Sequence, residues 1–557
     1  MSGPVEFAGA DGPTGPDGAT GSAGPAEAGG PVAAPAAPAA PAAAEEEWRQ
    51  LAPRALLVHA FVMAGVVGGG GVPAFFALTA RMPLRQALSW LLAGAVLLVL
   101  AATAAEYVRW RRTRYRIGPE RAELHTGLFV LERRSLARER IRSVDLTASL
   151  LPRLLGLVTV RIGTGEHAGA EATLELDPVT RAEGERLRTE LLGRASAEAP
   201  GAHREGLLAA LDPAWLRYAP MSFVAPVLGG AAIGAVFQVS DWFGAQKQVF
   251  HWLDDRFHDT PFGWIVATVV AGAALAGVIG ALGLWTEMWW NYRLEREPGG
   301  TLRVRRGLLT SRSVSIEERR LRGVELVEPL GIRLAGAARL DAVATGLSQG
   351  GEEDKHADQK SLLPAAPRAV AESVAARVLR EPESPTRPAV LTAHPRAARG
   401  RRLRWALAAA LAPVVILAVL GALFTDVLLY VALGCAVVLP ALAVALALDA
   451  YRNLGHGIGG GYLVARSGTL RRTTVALQRG GVIGWTVTQS YFQRRAGLLT
   501  LTATTAAGQG AYHVHDAATG EGLAFAAEAV PGLLEPFLVR ENPTPPGTAP
   551  SMETTTA

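Results

Sequence analysis

An element of one fixed length, bounded by glycines, occurs three times in this chain, and its spacing dictates the architecture. It begins at Gly127-Leu128-Phe129, Gly307-Leu308-Leu309 and Gly468-Thr469-Leu470, and at one constant distance from each start, without a gap, stand Gly156, Gly336 and Gly497. Each closing glycine is preceded, in the same Arg-x-x-Gly spacing, by Arg153, Arg333 or Arg494, and midway through each copy falls the apolar Ile141, Leu321 or Val482. The first two copies also share Arg140-Ile141-Arg142-Ser143-Val144-Asp145-Leu146 against Arg320-Leu321-Arg322-Gly323-Val324-Glu325-Leu326. The third reads Gly481-Val482-Ile483-Gly484-Trp485-Thr486-Val487 and departs from them. A stacked solenoid repeats every ~20–50 residues, far closer than the starts at Gly127, Gly307 and Gly468, so each copy belongs to a small domain of its own.

Before each copy lies a pair of long apolar segments. Ala55 to Ala80 and Ala87 to Ala105 are free of formal charge, as are Met221 to Val239 and Phe262 to Thr286. The third pair, Trp405 to Phe424 and Val427 to Leu448, is joined through little more than Thr425-Asp426. At about 1.5 Å of rise per residue each segment is long enough to cross roughly 30 Å of hydrocarbon. With 49% hydrophobic residues, the composition agrees with a membrane protein. The glycine run Gly68 to Gly71 suits close helix packing in a bilayer. Gly230-Ala231-Ala232-Ile233-Gly234 and Pro440 are packing or kink features.

After each pair the pattern changes to alternating polar and apolar residues. Ala122-Glu123-Leu124-His125, Leu157 to Ile162 and Ala172 to Leu176 predict half-buried antiparallel strands. Asp177 to Leu192 predicts a closing helix, with Asp177 as its cap and Pro178 in its first turn. Similar strands follow Tyr292 and Gly461, and similar helices cover Pro364 to Leu379 and Glu521 to Leu538. Gln349 to Lys360 reads as a solvated insert. The expected fold is a multi-domain membrane protein: six transmembrane α-helices as three hairpins, alternating with three α+β domains, each closed by a C-terminal helix. The boundaries are a disordered Ala/Pro/Gly tail at 1–48, hairpins at 49–106, 221–286 and 401–450, and domains at 107–196, 287–382 and 451–540. Linkers cover 197–220 and 383–400, and a second disordered tail covers 541–557.

Arginine placement sets the expected orientation. Arg49, Arg54, Arg109, Arg111, Arg112, Arg114, Arg116 and the cluster Arg396 to Arg404 lie on the side of the repeated domains, with only Arg81, Arg85, Lys247 and Arg256 opposite. An even number of spans puts both termini and all three domains on the cytoplasmic face. Trp110, Trp285, Trp289, Trp290 and Trp405 fall at the predicted boundaries. Arginine outnumbers lysine 52 to three, a skew that reflects genome composition more simply than a nucleic-acid ligand, so no nucleic-acid partner is expected. The single cysteine, Cys435, excludes a disulfide framework within one chain.

Three apolar helix pairs, each followed by a Trp or Tyr and Arg entry, strands, an Arg-x-x-Gly element and a last helix, resemble the bacterial membrane proteins with pleckstrin-homology-like (PH-like) domains, the YdbS/YdbT-like group. The resemblance covers about residues 50 to 540. Its sharpest marks are Arg140-Ile141-Arg142-Ser143-Val144 with Arg153-Leu154-Leu155-Gly156-Leu157, and Arg320-Leu321-Arg322-Gly323-Val324 with Arg333-Leu334-Ala335-Gly336. The third copy keeps Arg494 and Gly497 without the Arg-Ile-x-x-Val segment. The resemblance implies a seven-stranded, partly open barrel in each soluble unit, no catalysis, and an envelope role that for some members is resistance to membrane-active peptides. It also implies that some members work with a smaller PH-like membrane protein.

Arg153, Arg333 and Arg494 could grip lipid phosphates through their guanidinium forks. The simpler reading has each pairing with an acid or carbonyl to hold a barrel turn beside Gly156, Gly336 and Gly497. Those glycines, like Gly127, Gly307 and Gly468, mark positive φ or close backbone approach. Arg111, Arg112, Arg114, Arg401, Arg402 and Arg404 are candidate contacts to anionic headgroups as well as ordinary topology signals. His251, Asp255 and His258 fall on one helical face but carry no expectation of a metal, and His513 and His515 share a strand face. The six segments hold no Asp, Glu, Lys or Arg away from their ends, and no P-loop, dinucleotide fingerprint, nucleophile elbow or metalloprotease motif occurs. The expectation is therefore a non-enzymatic membrane scaffold without cofactor or metal, touching membrane lipids or proteins and open to oligomerisation. The alternative is a lipid or peptide transporter or channel built from the three hairpins.

Overall fold

A computed structural model describes residues 48–537 except 128–130, 142, 164–172, 193–205, 243, 258, 298, 346–359 and 388–390. Both predicted terminal tails, the insert at 349–360 and His258 lie almost wholly outside the described residues.

Six helices are long and apolar enough to cross a membrane: α1 (Ala55–Thr79), α2 (Leu84–Arg112), α5 (Val224–Trp242), α7 (Phe262–Trp289), α10 (Arg396–Phe424) and α11 (Asp426–Arg452). Their main packing is in consecutive pairs, α1 on α2, α5 on α7 and α10 on α11. The tightest approaches are at Gly229 and Gly277. A Cβ added to the first would enter the carbonyl of Ala273, and one added to the second the carbonyl of Ala225. The run Gly68 to Gly71 behaves otherwise. Only Gly71 would meet a neighbour, Leu91, and the run borders an apolar groove of about 780 Å³ beside Trp90 and Leu98. Gly230 and Gly234 likewise face open space. Between α5 and α7 a short helix, α6 (Gln246–Phe257), covers the sequence around His251.

The first soluble unit holds a four-stranded sheet, β1 (Arg49–Gln50), β2 (Arg114–Ile117), β3 (Arg121–Thr126) and β4 (Glu132–Ala137). It also holds the antiparallel strands β5 (Ser143–Ala148), β6 (Leu157–Gly163) and β7 (Thr173–Thr180). A short helix, α3 (Leu150–Leu154), precedes β6 and ends at Gly156, whose φ of 71° is left-handed and favours glycine. The closing helix α4 (Arg181–Leu192) begins later than predicted. Asp177 and Pro178 continue β7, because Asp177 accepts a bond from Thr159 Oγ1 at 2.7 Å across the sheet, and Thr180 Oγ1 accepts from the amide of Glu183 instead.

The second unit repeats this plan with β8 (Leu207–Ala210), β9 (Arg293–Glu297), β10 (Thr301–Arg306) and β11 (Ser311–Glu317), then β12 (Leu321–Pro329), α8 (Leu330–Leu334), β13 (Ala337–Ala344), β14 (Ser361–Pro367) and α9 (Arg368–Leu379). Here too the closing helix starts after the predicted Pro364, which lies in β14. The stretch read as a linker supplies β8 and a 3₁₀ turn, Pro213–Met221, whose Trp215 and Tyr218 enter the core. The third unit has β15 (Gly455–Gly459), β16 (Tyr462–Ser467), β17 (Arg471–Gln478), β18 (Val482–Thr488), α12 (Tyr491–Arg495), β19 (Leu498–Thr505), β20 (Ala511–Ala518) and α13 (Thr519–Ala529).

No sheet among the described residues closes into a barrel. Each unit is two half-sheets joined by a shared core, such as Tyr115 and Leu124 with Val144, Val160, Ile162 and Leu187 in the first. Burying each such side chain contributes roughly 1.5–3 kcal/mol. The half-sheets extend sideways into neighbouring units. One seven-stranded sheet runs β7-β6-β5-β11-β10-β9-β8, and a six-stranded one runs β14-β13-β12-β17-β16-β15. Two edges end the series, β4 in the first unit and β18 in the third.

Candidate functional site

The seams between units gather most of the sequence features of interest. At the first seam Leu146, Thr147 and Ala148 pair with Ser313, Arg312 and Ser311. At the second, Gly323 through Pro329 pair with Leu477 through Arg471.

The repeated arginine crosses these seams. Arg153 Nη1 donates to the carbonyl of Leu308 at 2.6 Å, in the opening turn of the next copy, and Arg333 Nη2 donates to Asp449 Oδ2 at 2.7 Å, at the end of α11. Asp449 also accepts from Asn453 Nδ2, which donates to the carbonyl of Gly468, so this contact too reaches the next copy's turn. Arg494 is exposed and makes no side-chain bond among the described residues. Gly307 and Gly468 take φ of 113° and 101°, and a Cβ at either would enter the carbonyl across its turn, Thr310 or Arg471.

Ion pairs close the first seam beside the sheet. Arg188 reaches Glu297 at 2.7 Å and Arg303 reaches Glu185 at 2.7 Å, with Arg303 also bonded to Glu297 at 3.0 Å. Burial alone would raise Glu297, but the bonds and charges of Arg188 and Arg303 outweigh it and hold the carboxyl below its ordinary range. At the second seam a fork from Arg472 grips Glu328 at 2.6 and 2.8 Å. Each seam also encloses an acid from the shared motif. Asp145 is pushed up to about 7 by burial, partly offset by Arg161 and by the amide of Ser315 in the partner strand. Glu325 is raised by burial and by the neighbouring Asp341.

The remaining candidates divide between solvent and protein. Arg111, Arg112, Arg114 and Arg404 are exposed near the helix ends. Arg401 and Arg402 instead bind Asp516 of the third unit at 2.5 and 3.3 Å. Trp289 is buried under Arg306, whose guanidinium lies 4.3 Å from its ring, and Trp285 packs half-buried against the same core. Trp110 donates to the carbonyl of Leu51, so only Trp290 and Trp405 of the boundary tryptophans remain open to a headgroup layer. Among the described residues no group of three His, Cys, Asp or Glu side chains could hold a metal.

A buried histidine pair gives no signal in the sequence. His394, just before α10, and His456, in β15, approach at 3.0 Å between Nε2 and Nδ1, and His394 Nδ1 bonds the carbonyl of Asp516 at 3.1 Å. Burial pushes His394 down to about 4 and lowers His456 as well. The two are far apart along the chain, so only their pairing in space marks them.

The family model described as "Bacterial PH domain" matches residues 65–195 and 406–526, each stretch running from an apolar helix pair into its soluble unit. The UPF0699 transmembrane protein YdbT of Bacillus subtilis is 24% identical over 275 residues, covering 47% of this chain and 54% of that protein. The chain thus spans about half the length of the curated relative it matches. No solved structure matches it.

Proposed function

We propose, from the premise that this chain is a multi-pass bacterial membrane protein with PH-like domains of the YdbS/YdbT-like group, that it is a non-enzymatic scaffold. Three transmembrane hairpins carry three PH-like units on the cytoplasmic face, where they present surfaces to proteins or lipids. The two half-sheets of each unit stand for the two sides of a PH-like barrel, opened so that neighbouring units share strands. The observation that carries the reading is this sharing. Two sheets running through successive units make the soluble region a continuous platform anchored at six helices, an arrangement suited to holding partners at fixed spacing.

The process served is cell-envelope integrity, including tolerance of membrane-active peptides. Growth of a deletion strain on such peptides tests it. Hypersensitivity rescued by wild type supports the role, and unchanged sensitivity removes it. Thiol labelling at engineered positions in the soluble units of intact cells tests the orientation, and labelling by an impermeant reagent would place them outside. The alternative of a transporter draws only on the apolar groove beside Gly70 and Trp90, which suits an acyl chain and offers no polar path.

A further inference from the structure

Among the described residues the series of shared sheets stops at two edge strands, and those edges complement each other. We infer that β18 of one chain pairs with β4 of a second copy, extending between chains the seam that joins units within one chain.

Register is the first support. Let each strand be counted from the opening glycine of its own copy, Gly127, Gly307 or Gly468. At the first seam Leu146 at +19 then pairs with Ser313 at +6, and at the second Glu325 at +18 pairs with Val475 at +7. Every pair in both seams has offsets that total 25. Both seams therefore form by one rule, and β18 and β4 are the two strands to which it has not been applied. It sets Thr486 opposite Arg134 and Gly484 opposite Leu136.

The second support is a vacant cradle. Gly323 needs to be glycine because the carbonyl of Ala476 in the joined strand occupies the place of a Cβ. Gly484 stands at the same repeat position, and nothing lies within 4 Å of its Cβ site. The third unit keeps the space for an incoming backbone.

The third is surface character. In β12, Leu326 is 0% exposed, whereas Val487 at the same repeat position is 41% exposed. Over Val482–Thr488, β18 carries no charge and no proline, and such edges associate unless covered. The arginines in β4 are no barrier to pairing, since β11 and β17 carry Arg312, Arg471 and Arg472 within the seams they form. Because one chain holds both halves, a second copy is the matching occupant. Such a head-to-tail contact gives a ring where its rotation closes.

The test uses the full-length protein in detergent or nanodiscs with Cys435→Ala as background. Thr486→Cys and Arg134→Cys variants, co-expressed under separate tags, should join through a short thiol cross-linker. Thr486→Cys with Arg138→Cys, about 13 Å out of register at roughly 3.3 Å per residue, should not. Native mass should be a multiple of 58.4 kDa for wild type. It should fall to a single chain for Gly484→Val, which clashes only with an incoming strand and should keep the wild-type melting temperature. A single-chain wild type without cross-link, equal cross-linking out of register, association surviving Gly484→Val, or capture of β18 by a different protein would each overturn the inference. If Gly484→Val melts early, the cross-link comparison decides.

Discussion

Arg333 and Asp449 meet at 2.7 Å across a long stretch of chain, tying the short helix of the second unit to the end of the last apolar helix. Arg333 is mostly buried and Asp449 about one-third exposed, so removing the arginine leaves a partly desolvated carboxylate shared only with Asn453. Arg333→Ala should cost about 1–2 kcal/mol and lower the melting temperature in detergent by several degrees. Arg494→Ala, at the same repeat position but exposed, should leave it unchanged. Equal losses in both variants would mean that the arginine serves its own unit.

Asp145 makes the first seam sensitive to pH. Its carboxyl titrates near 7 in the folded chain and near 3.8 when free, so the folded state holds the extra proton between those values. Stability therefore falls as pH rises from about 4 to 7 and is lowest above that. Asp145→Asn, which keeps an acceptor for the Ser315 amide, should raise the melting temperature at pH 8 and give no gain near pH 4. A gain that is the same at both would place the penalty elsewhere.

Much of this could be read in the sequence because it is encoded locally. Apolar runs, turn glycines and alternating strands depend on neighbours in the chain, and α1, β3, β6 and Gly156 fall where their residues put them. The seams depend on strands far apart. Nothing near Leu146 says that Ser313 will lie beside it, so Arg153 reads as a local brace, whereas its partner Leu308 belongs to the next copy. The same separation hides the His394–His456 pair. The first two closing helices begin late because Pro178 and Pro364, good first-turn residues, lie in strands that long-range pairing extends.

The contact of α5 with α7 rests on two glycines. Replacing Gly277 by alanine would drive a methyl group into the carbonyl of Ala225, a backbone atom that cannot turn aside. Overpacking of this kind costs about 1–3 kcal/mol. Gly277→Ala and Gly229→Ala should each reduce the yield of folded protein and its melting temperature, whereas Gly68→Ala and Gly69→Ala, facing open space, should be neutral or slightly stabilising through helix propensity. Tolerance of Gly277→Ala would show that the pair opens in the bilayer.

The histidine pair should impose the opposite pH dependence from Asp145. His394 Nδ1 bonds a carbonyl and so carries the proton, leaving Nε2 to accept from His456 Nδ1; both rings are neutral in this arrangement. Phe525 packs on His456, and Tyr451 donates to the carbonyl of His394; burial and the neighbouring ring outweigh the favourable charges of Asp516 and Glu521. With a folded value near 4 against about 6.5 when free, His394 binds more protons in the unfolded state. Its contribution is complete above pH 6.5 and is lost as pH falls toward 4, on the order of 2 kcal/mol by pH 5. In an Asp145→Asn background, which removes the opposing titration at the first seam, melting curves of the full chain at pH 7.5 and 5.0 should therefore separate. His394→Gln should lower stability at pH 7.5 while narrowing the gap between the two, because the titrating ring is gone. A variant that keeps the wild-type gap would assign the acid sensitivity to other groups.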